Sequence, residues 1–580
     1  MLVAAALAVG AVAPSGAAPR AEAADAPTVP ADLASRYLRV HPPLGPTTVV
    51  DIRGESSDRK LLASTLQGIV NRTEARIYLI GARSDGSDEH WLADYQARGL
   101  ISVTATIGLD AAVHEFRDEV AGYVEATVSE PWTINTATSA AGAEGGVVAT
   151  EDTAALLDGE GIAKLADHRG RWTNAVDAYR GAAAEYRAKL PFGGVAIQKA
   201  DNHIPRDLFV QQGAFVVFTR PSDADFDAVY DLIETFPAQH PVYGYVSDTG
   251  DEEVEAIVSL ARTGRYLVPT DTTANLSFHQ AVGGDQRAKP AAGEPPAVEP
   301  CSPDAVNVVL SFSDGDNLVI PEGYYQGGDH WNSPRRGELP MGWGLSPAAS
   351  VLMPAIYDTY VRGATDADEI VDIMGLGYSV PSLMPDGASF VADDMRLRAA
   401  LGLRSHWALD ALLSDPAADG WDDVTAAAAA TGTPPDGMLL NYGAWPGPGF
   451  FHAPTGMPVL ASRVQGYENG PDDIAAQIQA LVDGSPADRS LVNFFAVTVW
   501  YSSYAALADA MAPLQDEGVR FLTPAQAFAC LPDAPTPPTT TSPPSTTAPA
   551  SPTAPAATSP PAVAPAAPAA PVGGSPAYTG

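Results

Sequence analysis

The sequence predicts an α/β protein, with α/β units in front and, behind them, a (β/α) domain in which a closed, barrel-like sheet is favoured over an open one. Three observations predict it. Strand-like apolar runs alternate with amphipathic helical runs along most of the chain, the mark of parallel sheets. The run "AFVVFTR", a helix carrying Phe226, Val229, Leu232 and Ile233 at helical spacing, and the run "PVYGYV" form one complete βαβ unit. A Pro, Gly and Ala-rich stretch from Gly283 to Asp304 then divides the chain near residue 295.

The elements follow in order. "TTVVDIR" and "ARIYLIG" flank a helix with Leu61, Leu62, Leu66 and Ile69 on one face, so the alternation is present from the front. Ser222 with Asp225 fits a capping box ahead of the Phe226 helix. Val254, Ile257, Val258 and Ala261 line the next helix, and Gly264 is placed to cap its C-terminus. After residue 301, strands are expected at "VNVVLSF", "IVDIMGLGY", "MLLNYG", "PVLASR", "LVNFFAV" and "RFLTP". The division that results is a signal peptide over 1–26, α/β accessory domains over 27–195 and 196–295, a catalytic barrel over 296–532 and a stalk over 533–580.

Composition restricts what this fold can do. A chain of 580 residues with 46% hydrophobic content can fill several cores. Its 70 acids against 33 bases give a net charge of -37, which repels phosphate backbones and anionic headgroups, so nucleic acid is not an expected partner. The opening "MLVAAALAVGAVAPSGAAPRAEAADAP" is a short apolar run with Ala21-Glu22-Ala23 as a cleavage signal, although a basic n-region is missing, and it predicts secretion. Cys301 and Cys530 bracket the C-terminal region, and in an oxidising compartment a bridge between them would pin both of its ends. No internal run of about 18 apolar residues predicts a membrane span. From Thr536 on, the tail is Pro, Thr, Ser and Ala, an extended stalk that cannot bury a core. Its end, "SPAYTG", loosely resembles threonine-glycine sorting signals, which allows cell-wall association.

Strand ends are where α/β proteins collect chemistry. The first strand behind the boundary ends in "SFSDGDNLVIP", delivering Asp314, Asp316 and Asn317; the loop after it adds Glu322, Tyr324, Tyr325, Asp329, His330, Trp331 and Glu338. Farther on come Trp343, Tyr378, Asn441, Tyr442, Trp445, Tyr467, Glu468, Trp500 and Tyr501. Acids and amides interleaved with aromatics suit a sugar, whose hydroxyls need planar polar partners and whose C–H face packs on a ring. Cleaving a glycoside needs two carboxyl groups, one protonated and one ionised, and Asp314, Asp316, Glu322, Glu338 and Glu468 are available. Asp-Gly-Asp-Asn is also an ordinary turn sequence. Its oxygens could hold Ca²⁺, but EF-hand spacing is absent. No G-x-S-x-G, H-E-x-x-H, Walker or C-x-x-C motif occurs, so no metal or cofactor is implied. His330 beside Asp329 reads as a solvated pair, and His406 beside Trp407 as local packing.

"GLGYSVP", Gly375 to Pro381, resembles the signature of the GxGYxYP family of putative glycoside hydrolases. It matches at Gly375, Gly377, Tyr378 and Pro381 and departs at Val380, where the signature has tyrosine. "FSDGDN", "GWGLSPAASVLMPAIYDTYVRGATDADEIV", "LLASTLQGIVNR", "RDLFVQQGAFVVF" and "TANLSFHQAV" are similar to other parts of the same family, covering most of Val49 to Leu531. The resemblance implies a TIM-like catalytic domain with α/β companions, Asp314 and Asp316 as acid and base, and Tyr378 lining the pocket. Glu322 and Glu338 are further catalytic candidates, and Asn317, Trp343, Asn441, Trp445 and Glu468 candidate substrate contacts. The expected activity is hydrolysis of a polysaccharide or glycoconjugate by a secreted or surface protein. Alternatives are a non-catalytic carbohydrate-binding surface protein and a metal-dependent polysaccharide deacetylase or phosphodiesterase.

Overall fold

The alternation of strands and helices resolves into parallel sheets. The computed structural model describes residues 29–247, 250–283, 298–408, 420–440, 449–464, 469–486 and 489–534. The predicted signal peptide and most of the predicted stalk lie outside them.

Three small parallel sheets occupy the front. Strands β1 (Leu44–Asp51), β2 (Ala75–Ile80) and β3 (Val103–Gly108) pair in the order β2-β1-β3; β4 (Tyr123–Glu125), β5 (Val147–Ala149) and β6 (Lys164–Asp167) in the order β5-β4-β6. The third sheet has β7 (Val195–Ile197), β8 (Phe215–Val217), β9 (Pro241–Gly244) and β10 (Tyr266–Pro269) in the order β10-β9-β7-β8. The helix between β1 and β2, Ser57–Val70, starts where the Ser56 side chain accepts from the Arg59 amide, and it buries Leu61, Leu62, Leu66 and Ile69 as their spacing predicts. Gly264 has φ +73° and follows the helix Gly250–Arg262, donating to the Ala261 carbonyl, as expected of a C-cap glycine. The capping box does not form: the helix Phe226–Glu234 has Asp225 at its N-cap without a side-chain cap bond, because that carboxylate takes the Thr219 hydroxyl instead.

Behind them stands a nine-stranded sheet formed by β11 (Asn307–Phe312), β12 (Met341–Leu345), β13 (Asp368–Ile373), β14 (Ser405–Ala408), β15 (Gly437–Leu440), β16 (Phe450–His452), β17 (Pro458–Ala461), β18 (Asn493–Val497) and β19 (Arg520–Leu522). All its ladders are parallel except β16 with β17. The order β17-β15-β14-β13-β12-β11-β18 curls until Ser462 and Phe494 form a bridge between β17 and β18, so the sheet is nearly closed and barrel-like. It departs from the expected TIM pattern in its last strand. β19 is three residues long and pairs with Asn307–Val309 of β11, leaving Ser311 and Phe312 to pair with β12.

Two barrel strands, β12 and β14, escape sequence reading because their residues are poor strand formers. In β12 the glycines are sterically required: a Cβ on Gly342 would lie 2.3 Å from the Ser311 hydroxyl, and one on Gly344 2.6 Å from the Phe312 carbonyl. Cys301 and Cys530 are disulfide-bonded across 229 residues, a closure worth about 5 kcal/mol on loop-entropy grounds. One hydrophobic core runs from Leu33 to Cys530 through all four sheets, which holds the front sheets firmly against the barrel.

Candidate active site

The loop after β11 is held tightly. Asp314 takes the left-handed conformation, φ +63°, which an aspartate tolerates better than most side chains. A Cβ on Gly315 would stand 1.7 Å from the Gly344 carbonyl, so this position admits only glycine. Asn317 donates its amide to the Asp314 carbonyl, its side-chain oxygen accepts from the Val319 amide, and Leu318 donates to the Pro269 carbonyl at the end of β10. The Asp-Gly-Asp-Asn turn is therefore clamped between the barrel rim and the third front sheet.

That clamp buries Asp316 and holds a half-buried Asp314 beside it. Burial pushes Asp314 up to about 6, restrained by hydrogen bonds from Ser313, the Val499 amide and the Trp500 indole. Asp316 is pushed up to about 8, first by burial and then by its neighbours Asp314 and Glu253. Glu253 comes from the helix Gly250–Arg262 of the third front sheet. The Tyr245 hydroxyl donates to it at 2.6 Å and Tyr378 bonds it as well, yet burial and the nearby Asp314 and Asp271 carry it up to about 7. Three carboxyls thus share a proton-rich site assembled from two parts of the chain. Aromatic rings stand at its edge: Tyr324 packs edge-on to Trp500, centroids 4.5 Å apart, and Tyr324 and Tyr501 are exposed.

The signature segment explains how Tyr378 reaches this site. Gly375 has φ +55° and faces the Asp394 carboxylate, 2.3 Å from where a Cβ would sit. A Cβ on Gly377 would lie 2.6 Å from the Leu267 carbonyl, and Tyr378 exchanges two backbone hydrogen bonds with Leu267 of β10. The glycines let the barrel rim lie directly on the third front sheet, which delivers the tyrosine to Glu253. His406 supports the turn from outside through Asp372, whose other oxygen accepts from the Gly375 amide. Val380 is fully buried, so the residue at the departing position serves packing.

Other candidates are placed elsewhere. Glu322 is buried at a joint: its carboxylate accepts from the Ala274 amide at 2.9 Å, with Arg83 and His279 each 3.8 Å away. Glu338 precedes β12, at the opposite end of the strands from Asp314, and pairs with Arg335 in solvent. Trp343 is 1% exposed inside β12, donating to Asp368 and packed by Phe312, Trp331 and Tyr504. Asn441, Trp445 and Glu468 lie outside the described residues. Sequence reading missed Glu253, which stands among acids in "GDEEVEA"; its only local signal is that its neighbour Val254 begins the buried helical stripe. Among the described residues no three His, Cys, Asp or Glu side chains are grouped to hold a metal ion.

Fold and site define an α/β protein with a barrel-like sheet whose carboxyl rim, roofed by an accessory sheet, holds interacting carboxyls. Three family models match the chain: GxGYxYP_N first domain over 47–118, GxGYxYP_N second domain over 120–190, and GxGYxYP putative glycoside hydrolase C-terminal domain over 304–531. The chain belongs to the GxGYxYP family. A crystal structure described as a putative hydrolase from Bacteroides thetaiotaomicron VPI-5482 is similar with TM-score 0.71 at 21% identity, covering 85% of this chain and 95% of that one, a likeness of fold. Comparison with curated proteins gave no match.

Proposed function

We propose that this chain is a secreted glycoside hydrolase that cleaves a polysaccharide or glycoconjugate by carboxylate acid/base catalysis. The observation that carries the reading is the trio Asp314, Asp316 and Glu253, raised to about 6, 8 and 7 and rimmed by exposed aromatic rings. At neutral pH Asp314 is mainly ionised and Asp316 mainly protonated, the division of labour that glycoside cleavage requires. Asp316 gives its proton to the leaving oxygen as the bond to the anomeric carbon breaks, and Asp314 stabilises the cationic carbon. A water then adds to that carbon and returns a proton to the carboxyls. Glu253 keeps Asp316 protonated. The family's description as a glycoside hydrolase and the neighbour's as a hydrolase support the reading. The apolar N-terminal run supports secretion, and the Pro and Thr-rich tail supports display at the cell surface.

Reducing-sugar release from bacterial and plant polysaccharides by the purified chain, beside Asp314→Asn and Asp316→Asn, tests it. Release that either folded variant abolishes is the expected result. Binding without release from any substrate moves the reading to a carbohydrate-binding surface protein, and activity lost to a chelator moves it to a metal-dependent polysaccharide deacetylase or phosphodiesterase.

A further inference from the structure

We propose that Tyr37, the last residue of the helix Ala31–Tyr37, is a positioning residue of the acid cluster: its hydroxyl fixes the signature turn that presents Tyr378 to Glu253. The helix lies ahead of residue 47, where the first family match begins, so that match assigns it no role. The inference deepens the hydrolase reading and rests on it for its effect on turnover, while its first readout is independent of cleavage.

The turn needs holding. Met374 has φ +59° and Gly375 φ +55°, two left-handed residues in succession, and a methionine seldom adopts that conformation. Such backbone persists only where its surroundings over-determine it. The Met374 amide donates to the Trp407 carbonyl at 2.9 Å, the Gly375 amide to Asp372 at 3.0 Å and the Leu376 amide to Asp394 at 2.6 Å. The barrel thus fixes the N–H groups of the turn. Its buried carbonyl at Leu376 is met from the other side, by the Tyr37 hydroxyl at 2.8 Å. Tyr378 follows two residues later and bonds Glu253.

Tyr37 is itself fixed. It is fully buried, and its carbonyl accepts from the Tyr243 hydroxyl of β9. Its helix is strapped to the helix Gly387–Leu401 by Arg36 with Asp393, and by Asp32, which accepts from Arg396 at 3.0 Å. One side chain therefore joins the third front sheet, the barrel and the turn. The groups facing Tyr37 are chiefly Tyr243, Tyr266, Asp394 and Arg36. Those facing Glu253 are chiefly Tyr245, Tyr378, Asp314, Asp271 and Asp316. No member is common to both sets, and the turn is what connects them. A donor that holds a strained turn in one geometry keeps the side chain beyond it on its partner.

The test places 3-fluorotyrosine at position 378 of the full chain by amber suppression and follows its fluorine resonance with pH. The resonance should titrate with Glu253 near pH 7, and Glu253→Gln should abolish that inflection. Tyr37→Phe should move the inflection up by about half a pH unit, because the bond from Tyr378 favours the ionised acid. In the unlabelled chain it should lower kcat by about ten-fold or less at unchanged KM, and add nothing to Tyr378→Phe. Tyr243→Phe removes a bond of the same kind from the same helix without touching the turn. It should leave the inflection in place, which separates positioning from lost stability. Should Tyr37→Phe fail to fold, Tyr37→4-aminophenylalanine, which keeps a weaker N–H donor at that point, carries the test with a smaller upward shift. The proposal fails if Glu253→Gln leaves the inflection, if the folded Tyr37 variant leaves it unmoved, or if Tyr243→Phe moves it equally. Should the inflection move while no polysaccharide is cleaved, the positioning stands and the hydrolase reading falls; cleavage with an unmoved inflection does the reverse.

Discussion

Two buried acids of the same short segment meet opposite fates. Glu322 and Asp316 both lie between the barrel and the front sheets, and burial pushes both up to about 8. Glu322 has acidic neighbours too, Asp85 and Asp207, but it is met by compensation that Asp316 lacks: the Ala274 amide on its carboxylate and the Arg83 guanidinium close by. Asp316 has backbone amides and two further carboxyls, Asp314 and Glu253. An acid beside a guanidinium and an amide holds two pieces of a protein together. An acid crowded by like charges keeps its proton into the neutral range, which makes it a proton donor at the cost of stability. A raised value alone therefore does not separate a joint from a site; the neighbouring charges do.

The comparison can be broken most severely at Asp316. Asp316→Asn should lower turnover by about 10²- to 10⁴-fold, the span of general acid–base contributions, with a melting temperature that holds or rises because the crowded acid is removed; a loss of both would make Asp316 a joint as well. Glu322→Ala should show the converse. Stranding the Ala274 amide and leaving a void should cost about 2–4 kcal/mol in urea unfolding, with turnover of the folded fraction retained. The pH profile sharpens the contrast further. Activity should rise as Asp314 ionises through about pH 6 and fall as Asp316 loses its proton through about pH 8, the limbs belonging to the coupled group. Glu253→Gln removes a neighbouring negative charge that holds Asp316 up, so the alkaline limb should move to lower pH by about one unit. The smallest change is Tyr378→Phe. Deleting one hydrogen bond to Glu253 lets that acid rise further and should cost about ten-fold in turnover or less; no change would show that Tyr245 alone positions Glu253.

The sequence by itself determined the α/β class, because alternating apolar periods must bury their faces in parallel layers, and it determined the family through the spacing of Gly375, Gly377 and Tyr378. The helical stripes of Leu61 to Ile69 and Val254 to Ala261 were legible for the same reason: a local period dictates which face is apolar. It also brought Asp314 and Asp316 to one strand end, since nearness in the chain is nearness in space there. The tertiary structure alone decided the rest. Glu253 stands more than 60 residues from Asp316 in the chain, and it joins the site because the barrel rim meets β10, at Leu267 where Gly377 allows the approach and at Pro269 through Leu318. Glu322, six residues beyond Asp316, is turned by the π-helical turn Ile320–Tyr324 toward the front sheets. Strands β12 and β14 were hidden because propensity is local, whereas the need for Gly342 and Gly344 comes from the strand beside them. Whether a buried acid binds or reacts depends on charges that other parts of the chain bring to it, and only the folded arrangement specifies those.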